Sequence, residues 1–347
     1  MQNWDAIVLG GGAAGLSAAL VLARTGVRTV VVEDRTPRNR PAAHMQGFIS
    51  RSGMSPSALL QTAREEVVSF GGRILAARAV STAVADAGGV SVTLDDGSEL
   101  AAPAILIATG LRDVLPDLPG AAELWGTSVH HCPHCHGREV AGQSIAVIGS
   151  DVAGGAMSLH QAALMRRYSD RVTFYPNGIA VPAHQRRELD SIGVVIVDDG
   201  RVSRLERPGG AGVGVGGAGG GVGGGVGGGV GGVGGEVELS FADGGTAAHD
   251  AVFIAPRMVP RDEAFSGLGL TRAPQGGWIT VDATGRTSLG GVWAAGNIAN
   301  PRAQVITAAG EGSTAAIDMS GYLLGLDLGR SLNGEAASWY GVGVPGA

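Results

Sequence analysis

Cys132 and Cys135 are the only cysteines in this 347-residue chain. They stand together as Cys132-Pro133-His134-Cys135, with His136 next in line. A two-residue spacing brings the sulfurs within bonding reach at little strain, so the pair can cycle between dithiol and disulfide. Neighbouring imidazoles favour the thiolate that does the attacking. A single such pair in a chain this long is no disulfide scaffold, and it suits a reducing compartment. A competing chemistry uses the same residues. Half of the eight histidines, His130, His131, His134 and His136, flank the cysteines and complete the ligand types of tetrahedral zinc. Adjacent His-His and Cys-His steps cannot easily all point inward, however, and no second distant ligand pair exists to close such a site.

A redox pair needs an electron partner, and the N-terminus offers a place to hold one. Ala6-Ile7-Val8-Leu9 reads as a buried parallel strand. It runs into Gly10-Gly11-Gly12-Ala13-Ala14-Gly15, then into an alanine- and leucine-rich helix, and a second strand through Val30-Val31-Val32 ends at Glu33. This is the strand–GxGxxG–helix–strand–acid order of a dinucleotide site. Gly10 makes the tight turn, Gly12 lets a pyrophosphate approach the backbone, and Gly15 lets helix and strand pack closely. The helix N-terminus at Ala13 and Ala14 supplies amide donors, and Glu33 accepts from a ribose hydroxyl.

Two later segments resemble the remainder of a flavoprotein. A buried strand ends in Ala108-Thr109-Gly110, and another runs into Ala295-Gly296-Asn297, followed by a helix from about Gln304 to Leu324. The chain looks like the flavoproteins with two dinucleotide-binding domains, in which the first fingerprint holds FAD and a late Gly-Asp touches the ribityl chain. Asn297 stands at that Asp position. Ala303-Gln304-Val305 resembles the segment that passes under the isoalloxazine. In the loop after Glu33, Arg38, Arg40 and His44 are candidates for FAD phosphate or for a lid on the active site, with a plain surface loop the equal alternative. Trp293 is the tryptophan best placed to approach flavin, although core packing is the commoner role.

The cysteine pair follows the Ala-Thr-Gly turn and precedes a second strand-and-turn, Ser144–Gly149. That arrangement resembles the low-molecular-weight thioredoxin reductases. The implied fold is α/β: two Rossmann-like, three-layer dinucleotide-binding domains of the thioredoxin reductase type. A discontinuous FAD domain is expected at 1–120 and 248–347, with the domain bearing the cysteines at 121–247. By the same resemblance Cys135 faces the flavin, Cys132 exchanges with substrate, His136 takes the place of an acid that shuttles protons, and the enzyme is a homodimer.

The second domain departs from the reductases where NADPH belongs. Its turn reads Gly149-Ser150-Asp151-Val152-Ala153-Gly154, with Asp151 in place of the middle glycine. Two like charges ~4 Å apart repel by about 4 kcal/mol at an effective dielectric of ~20 before relaxation. The next strand leads into Pro176–Pro182 rather than an arginine-rich turn, and Arg186 and Arg187 come only in the following helix. Together with Cys-Pro-x-Cys-His-Gly and Glu139, this resembles the FAD-dependent dithiol oxidases of the gliotoxin and holomycin type. What they imply is closure of a disulfide in a small natural-product dithiol, with O₂ reoxidising the flavin and leaving as H₂O₂. A thioredoxin reductase-like enzyme acting on a protein disulfide is the alternative, and a non-enzymatic zinc- or flavin-binding regulator is the third reading.

Composition bounds the rest. A net charge of −6, with all 25 basic residues arginine, argues against nucleic acid and excludes lysine Schiff-base chemistry. Mean hydropathy is +0.20, and no apolar run approaches the ~20 residues of a membrane span. The start, Met1-Gln2-Asn3-Trp4-Asp5, lacks the pattern of an export signal, and a cytoplasmic protein is expected. From 209 to 235 the chain is almost entirely Gly, Val and Ala between two strand-like runs. Lengthening a hairpin turn this much costs about 2 kcal/mol of closure entropy, so a flexible insert is tolerable there.

Overall fold

The strand Ala6–Leu9 is buried on both faces, and the two faces meet different partners. Ala6 and Val8 join a cluster with Leu16, Ala19 and Leu22 of the helix Ala13–Arg24 and with Ala315 and Met319 of the helix Val305–Ser331. Ile7 and Leu9 join Val90, Val92, Leu94 and Leu100 of an antiparallel sheet. Period-two alternation thus builds three layers: helices, a parallel sheet and a sheet that is antiparallel but for the short parallel pairing of Gln2–Asn3. The parallel sheet runs in the order Val292–Ala294, Ala104–Ile107, Ala6–Leu9, Thr29–Glu33, Arg73–Ala76. Its register places Ile7 between Ile105 and Val30. In this computed structural model residues 2–85, 88–208 and 235–331 are described. All but the last residue of the expected flexible insert at 209–235 lies outside them.

The same construction recurs downstream. Five parallel strands run in the order Val129–His130, Ala251–Ile254, Ser144–Ile148, Arg171–Tyr175, Val195–Ile196. Ala146 and Ile148 face Leu205, Val237 and Leu239 of a three-stranded antiparallel sheet, whereas Ile145 and Val147 face Leu159, Ala162 and Met165 of the helix Ala156–Met165. The two runs that flank the Gly-rich tract pair antiparallel, Leu205 opposite Leu239, as alternating strands should.

The chain divides into two units, 1–40, 47–112 and 258–347 in one, and 41–46 with 113–257 in the other. These limits differ from the expected 120 and 248. Ala251–Ile254, assigned from sequence to the first domain, pairs along its length with Ser144–Ile148 and on its other side with Val129–His130, inside the second sheet. A buried apolar strand carries no mark of which parallel sheet it will enter.

Candidate active site

Cys132 and Cys135 are joined as a disulfide, with Cα atoms 5.3 Å apart. Pro133 to His136 form a single helical turn, started by Pro133, whose fixed φ suits the first helical position. The amides of Cys135 and His136 both donate to the Cys132 carbonyl, at 3.1 Å. Both cysteines are half-buried and His134 is exposed. His136 stacks on His130, ring centroids 4.3 Å apart and 21° from parallel. Burial pushes the His136 imidazole below its ordinary pKa, and the nearby Glu139 carboxylate pulls it partly back. The near-neutral value expected for it is therefore shifted towards a group that stays uncharged at pH 7. Among the described residues, no group of three or more His, Cys, Asp or Glu side chains is arranged to hold a metal ion.

The first-unit turn is shaped as a dinucleotide cradle. Gly10 has φ 114°, and a Cβ there would strike the Ala108 carbonyl. A Cβ on Gly15 would strike the Gly10 carbonyl. At Gly12 a Cβ would meet nothing within 4 Å, so the backbone is open at the point a pyrophosphate would approach. Helix Ala13–Arg24 starts directly after Gly12 with no side-chain cap, which leaves its first amides directed at that space. These residues fit the diphosphate of a dinucleotide such as FAD.

Around the turn the expected residues are placed unevenly. Glu33 lies beneath Gly11, whose Cβ would collide with its carboxylate, and Arg64 grips it through two bonds of 2.7 and 2.8 Å. Each carboxylate oxygen keeps a lone pair for a ribose hydroxyl. Thr109 donates to the Arg261 carbonyl at 2.7 Å and Gly110 takes φ 71°, which fixes the end of that strand. Gly296, at φ 73°, lies against Ala14 at the start of the first helix. Its amide donates to Glu311, which also accepts from Asn300 at 2.7 Å. Asn297 is committed more fully than its sequence position suggested. Its Nδ2 donates to the carbonyls of Asn300 and Ala303, at 3.0 and 2.9 Å, and its Oδ1 accepts from Arg38 at 3.3 Å. Only one acceptor lone pair is left for a cofactor. Gln304 directly precedes the helix that Val305 begins, and its side chain lies beside Gly47. Arg40 is exposed in a turn closed by its own amide on Pro37, so Arg38 is the arginine that reaches this cluster. Trp293 is core: it is 1% exposed and donates to Asp318.

Sequence reasoning missed Arg64 and Glu311. A strand-end carboxylate bound for burial demands a cation, and an acid in the alanine- and glycine-rich first turns of a helix demands a reason; those were the available signals.

The second-unit turn differs in kind. Three residues lie between Leu9 and the first residue of the helix Ala13–Arg24, but seven lie between Ile148 and Ala156. In the longer gap Ala153, Gly154 and Gly155 take φ 51°, 64° and 87°, three left-handed residues in succession. Ile179 packs onto the Gly155 backbone, where a Cβ would lie 2.6 Å from its Cδ1. Asp151 is exposed and caps nothing. Arg186 pairs with Asp198 at the surface.

The model of the pyridine nucleotide-disulphide oxidoreductases matches residues 4–187, more than half of the chain. The chain belongs to this family. It is an oxidoreductase with the two-domain fold of the thioredoxin reductases. Thioredoxin reductase tcpT of Claviceps purpurea is 29% identical over 84% of this chain and 86% of its own length. Thioredoxin reductase sirT of Leptosphaeria maculans is 27% identical over 94% and 96%. The crystal structure of HlmI superposes with a TM-score of 0.84 and 37% identity, covering 95% of this chain and 96% of that one. The resemblance drawn from the motifs and these comparisons agree on the family and on its likeness to the thioredoxin reductases. No helix among the described residues is long and apolar enough to cross a membrane.

Proposed function

We propose that this flavoprotein is an FAD-dependent dithiol oxidase, which closes a disulfide in a small natural-product dithiol with O₂ as acceptor and H₂O₂ as product. The observation that carries the oxidase direction is the second-unit turn. Its left-handed run and the Ile179 side chain stand where a nucleotide fingerprint would offer an open glycine and a helix N-terminus. Without a nicotinamide donor, electrons enter through the cysteines.

When bound at the Gly10–Gly15 cradle, FAD would supply a two-electron acceptor that O₂ can reoxidise. Thiol chemistry is the work of Cys132 and Cys135. A substrate thiolate attacks Cys132 Sγ, the Cys132–Cys135 bond breaks, and Cys135 leaves with the electron pair. The second substrate thiol then resolves the mixed disulfide and Cys132 leaves as thiolate. On this reading His136, next in the chain to Cys135 and with its imidazole pKa lowered by burial, takes a proton. A homodimer in the cytoplasm belongs to the same reading.

The test is anaerobic. Dithiothreitol should bleach the flavin absorbance near 450 nm, NADPH should not, and admitting air should release one H₂O₂ per dithiol. Prompt bleaching by NADPH removes the reason for preferring an oxidase and favours the reductase.

A further inference from the structure

Buried polar side-chain atoms without a hydrogen-bond partner gather in the segment that carries the disulfide and in the helix behind it. They include the ring nitrogens of His130, one of which has the Thr127 backbone beside it, together with Nδ1 of His136, Oε2 of Glu139 and Oε1 of Gln161. His130 is 2% exposed and Gln161 3%. Gln161 is tied to this segment, since its Nε2 donates to the His131 carbonyl. Buried polar atoms in a native protein are nearly always satisfied, so a cluster of them has a job.

The stack explains which job. Two imidazoles face to face at 4.3 Å cannot hydrogen-bond each other, because their N–H bonds lie in the ring planes. A group at their common edge can bond both. Two cationic rings at that distance would repel, so the pair holds one proton at most. Burial, with the charges of His136 and His131, pushes His130 down to about 3, which leaves it neutral while His136 cycles. Glu139 favours the proton on His136.

We propose that His130 is a positioning residue for proton transfer: with Glu139 it holds an ordered water against Nδ1 of His136, and this water passes on the proton that His136 takes from the resolving substrate thiol. The proposal rests on the thiol–disulfide reading above and adds a residue to it. Three polar partners suffice to hold a buried water. In each turnover two S–H bonds of the dithiol are lost, one S–S bond forms in it and the enzyme S–S bond breaks. The two electrons reside on Cys132 and Cys135. One proton leaves with the first thiol to solvent, as that thiol ionises before attack. The other is taken by His136 at one ring nitrogen while Nδ1 gives up a proton to the bridging water.

His130→Phe keeps the stacked ring and removes both polar atoms. His130→Gln loses the ring but keeps a donor and an acceptor. The rate at which the mixed disulfide of dithiothreitol with Cys132 resolves is read anaerobically by acid quench, alkylation and mass spectrometry, on protein whose FAD content and melting curve match the wild type. A relay predicts that Phe slows this resolution by about 10²-fold and that Gln recovers most of the loss. Phe equal to wild type, Phe better than Gln, or equal loss in both overturns it, since each is what a packing role would give. Failure of the functional reading looks different. Peroxide would be absent from the wild type, while the order of the two variants could still be read from resolution of the mixed disulfide.

Discussion

Asn297 offers a sharp test of how the first-unit site is built, because the resemblance puts an aspartate at its position. In this chain the Nδ2 amide satisfies the carbonyls of Asn300 and Ala303, and only a donor can do that. Asn297→Asp withdraws both donors and turns a carboxylate oxygen towards two carbonyl oxygens. Each carbonyl left without its partner costs about 1–3 kcal/mol. Against that stands Arg38, whose 3.3 Å bond to Oδ1 becomes charge-assisted and returns about 1.5–3 kcal/mol. The net is a loss of about 2 kcal/mol, or a fall of about 4–8 °C in the melting temperature of a unit of this size. The assay is thermal denaturation of the FAD-loaded protein, followed by the rise in flavin fluorescence on release. In an Arg38→Met background the compensation disappears, and the same change should cost about 4 kcal/mol. A variant as stable as the wild type, or an effect unaltered by Arg38→Met, refutes the account. Asn297 would then be only a tolerated relic of the acid.

Other expectations follow from the same geometry. Gly12→Ala should leave the apoprotein's melting temperature unchanged and weaken FAD binding in titrations, since a Cβ there meets only open space. Gly15→Ala should destabilise the apoprotein itself, because its Cβ strikes the Gly10 backbone carbonyl, which no rotamer change can relieve. Arg64→Leu leaves the Glu33 carboxylate, whose side chain is 2% exposed, with only the exposed Arg35 at 3.9 Å, and should cost about 3 kcal/mol in denaturant titration; the added change Glu33→Gln should restore much of it. His130 is neutral when folded, with a pKa near 3, but titrates at about 6.5 when unfolded, so its contribution is complete above pH 6.5 and is lost as pH falls towards 3. By pH 5 that loss reaches about 2 kcal/mol, and His130→Phe should show a correspondingly smaller drop in melting temperature between pH 7 and pH 5.

What could be read in advance was what is local in the chain. The strand Ala6–Leu9, the glycine turn, the helix after it and the acid at Glu33 lie within 28 residues, and each rests on short-range steric demands. The cysteine pair is likewise self-contained. Arg64 and Glu33 are 31 residues apart, and nothing in the helix Pro56–Ser69 marks one arginine as the partner of a buried acid. Glu311 joins Gly296 across 15 residues by a bond that exists only once the C-terminal helix has packed. The stack of His130 on His136 depends on a helical turn that doubles the chain back, which residue types alone do not disclose.

The two units pose one architectural question twice and answer it differently. Both end a central parallel strand in a glycine, Gly10 or Gly149, whose Cβ would strike a neighbouring backbone carbonyl. In the first unit the helix begins at once, and its free amides converge on an open glycine. In the second, four more residues precede the helix, the last three of the gap are left-handed, and its N-cap Gly155 lies under Ile179. A helix terminus favours an anion only within its first turn, so delay and cover together forfeit most of the attraction. Ala153 makes the case stronger, since a residue with a Cβ held at φ 51° is costly and persists only where the surroundings impose it. Deleting Asp151 alone would therefore not restore a nucleotide site. Shortening the loop and replacing Ile179 together would be needed, and on the proposed reading only that combination could give the flavin a second source of electrons.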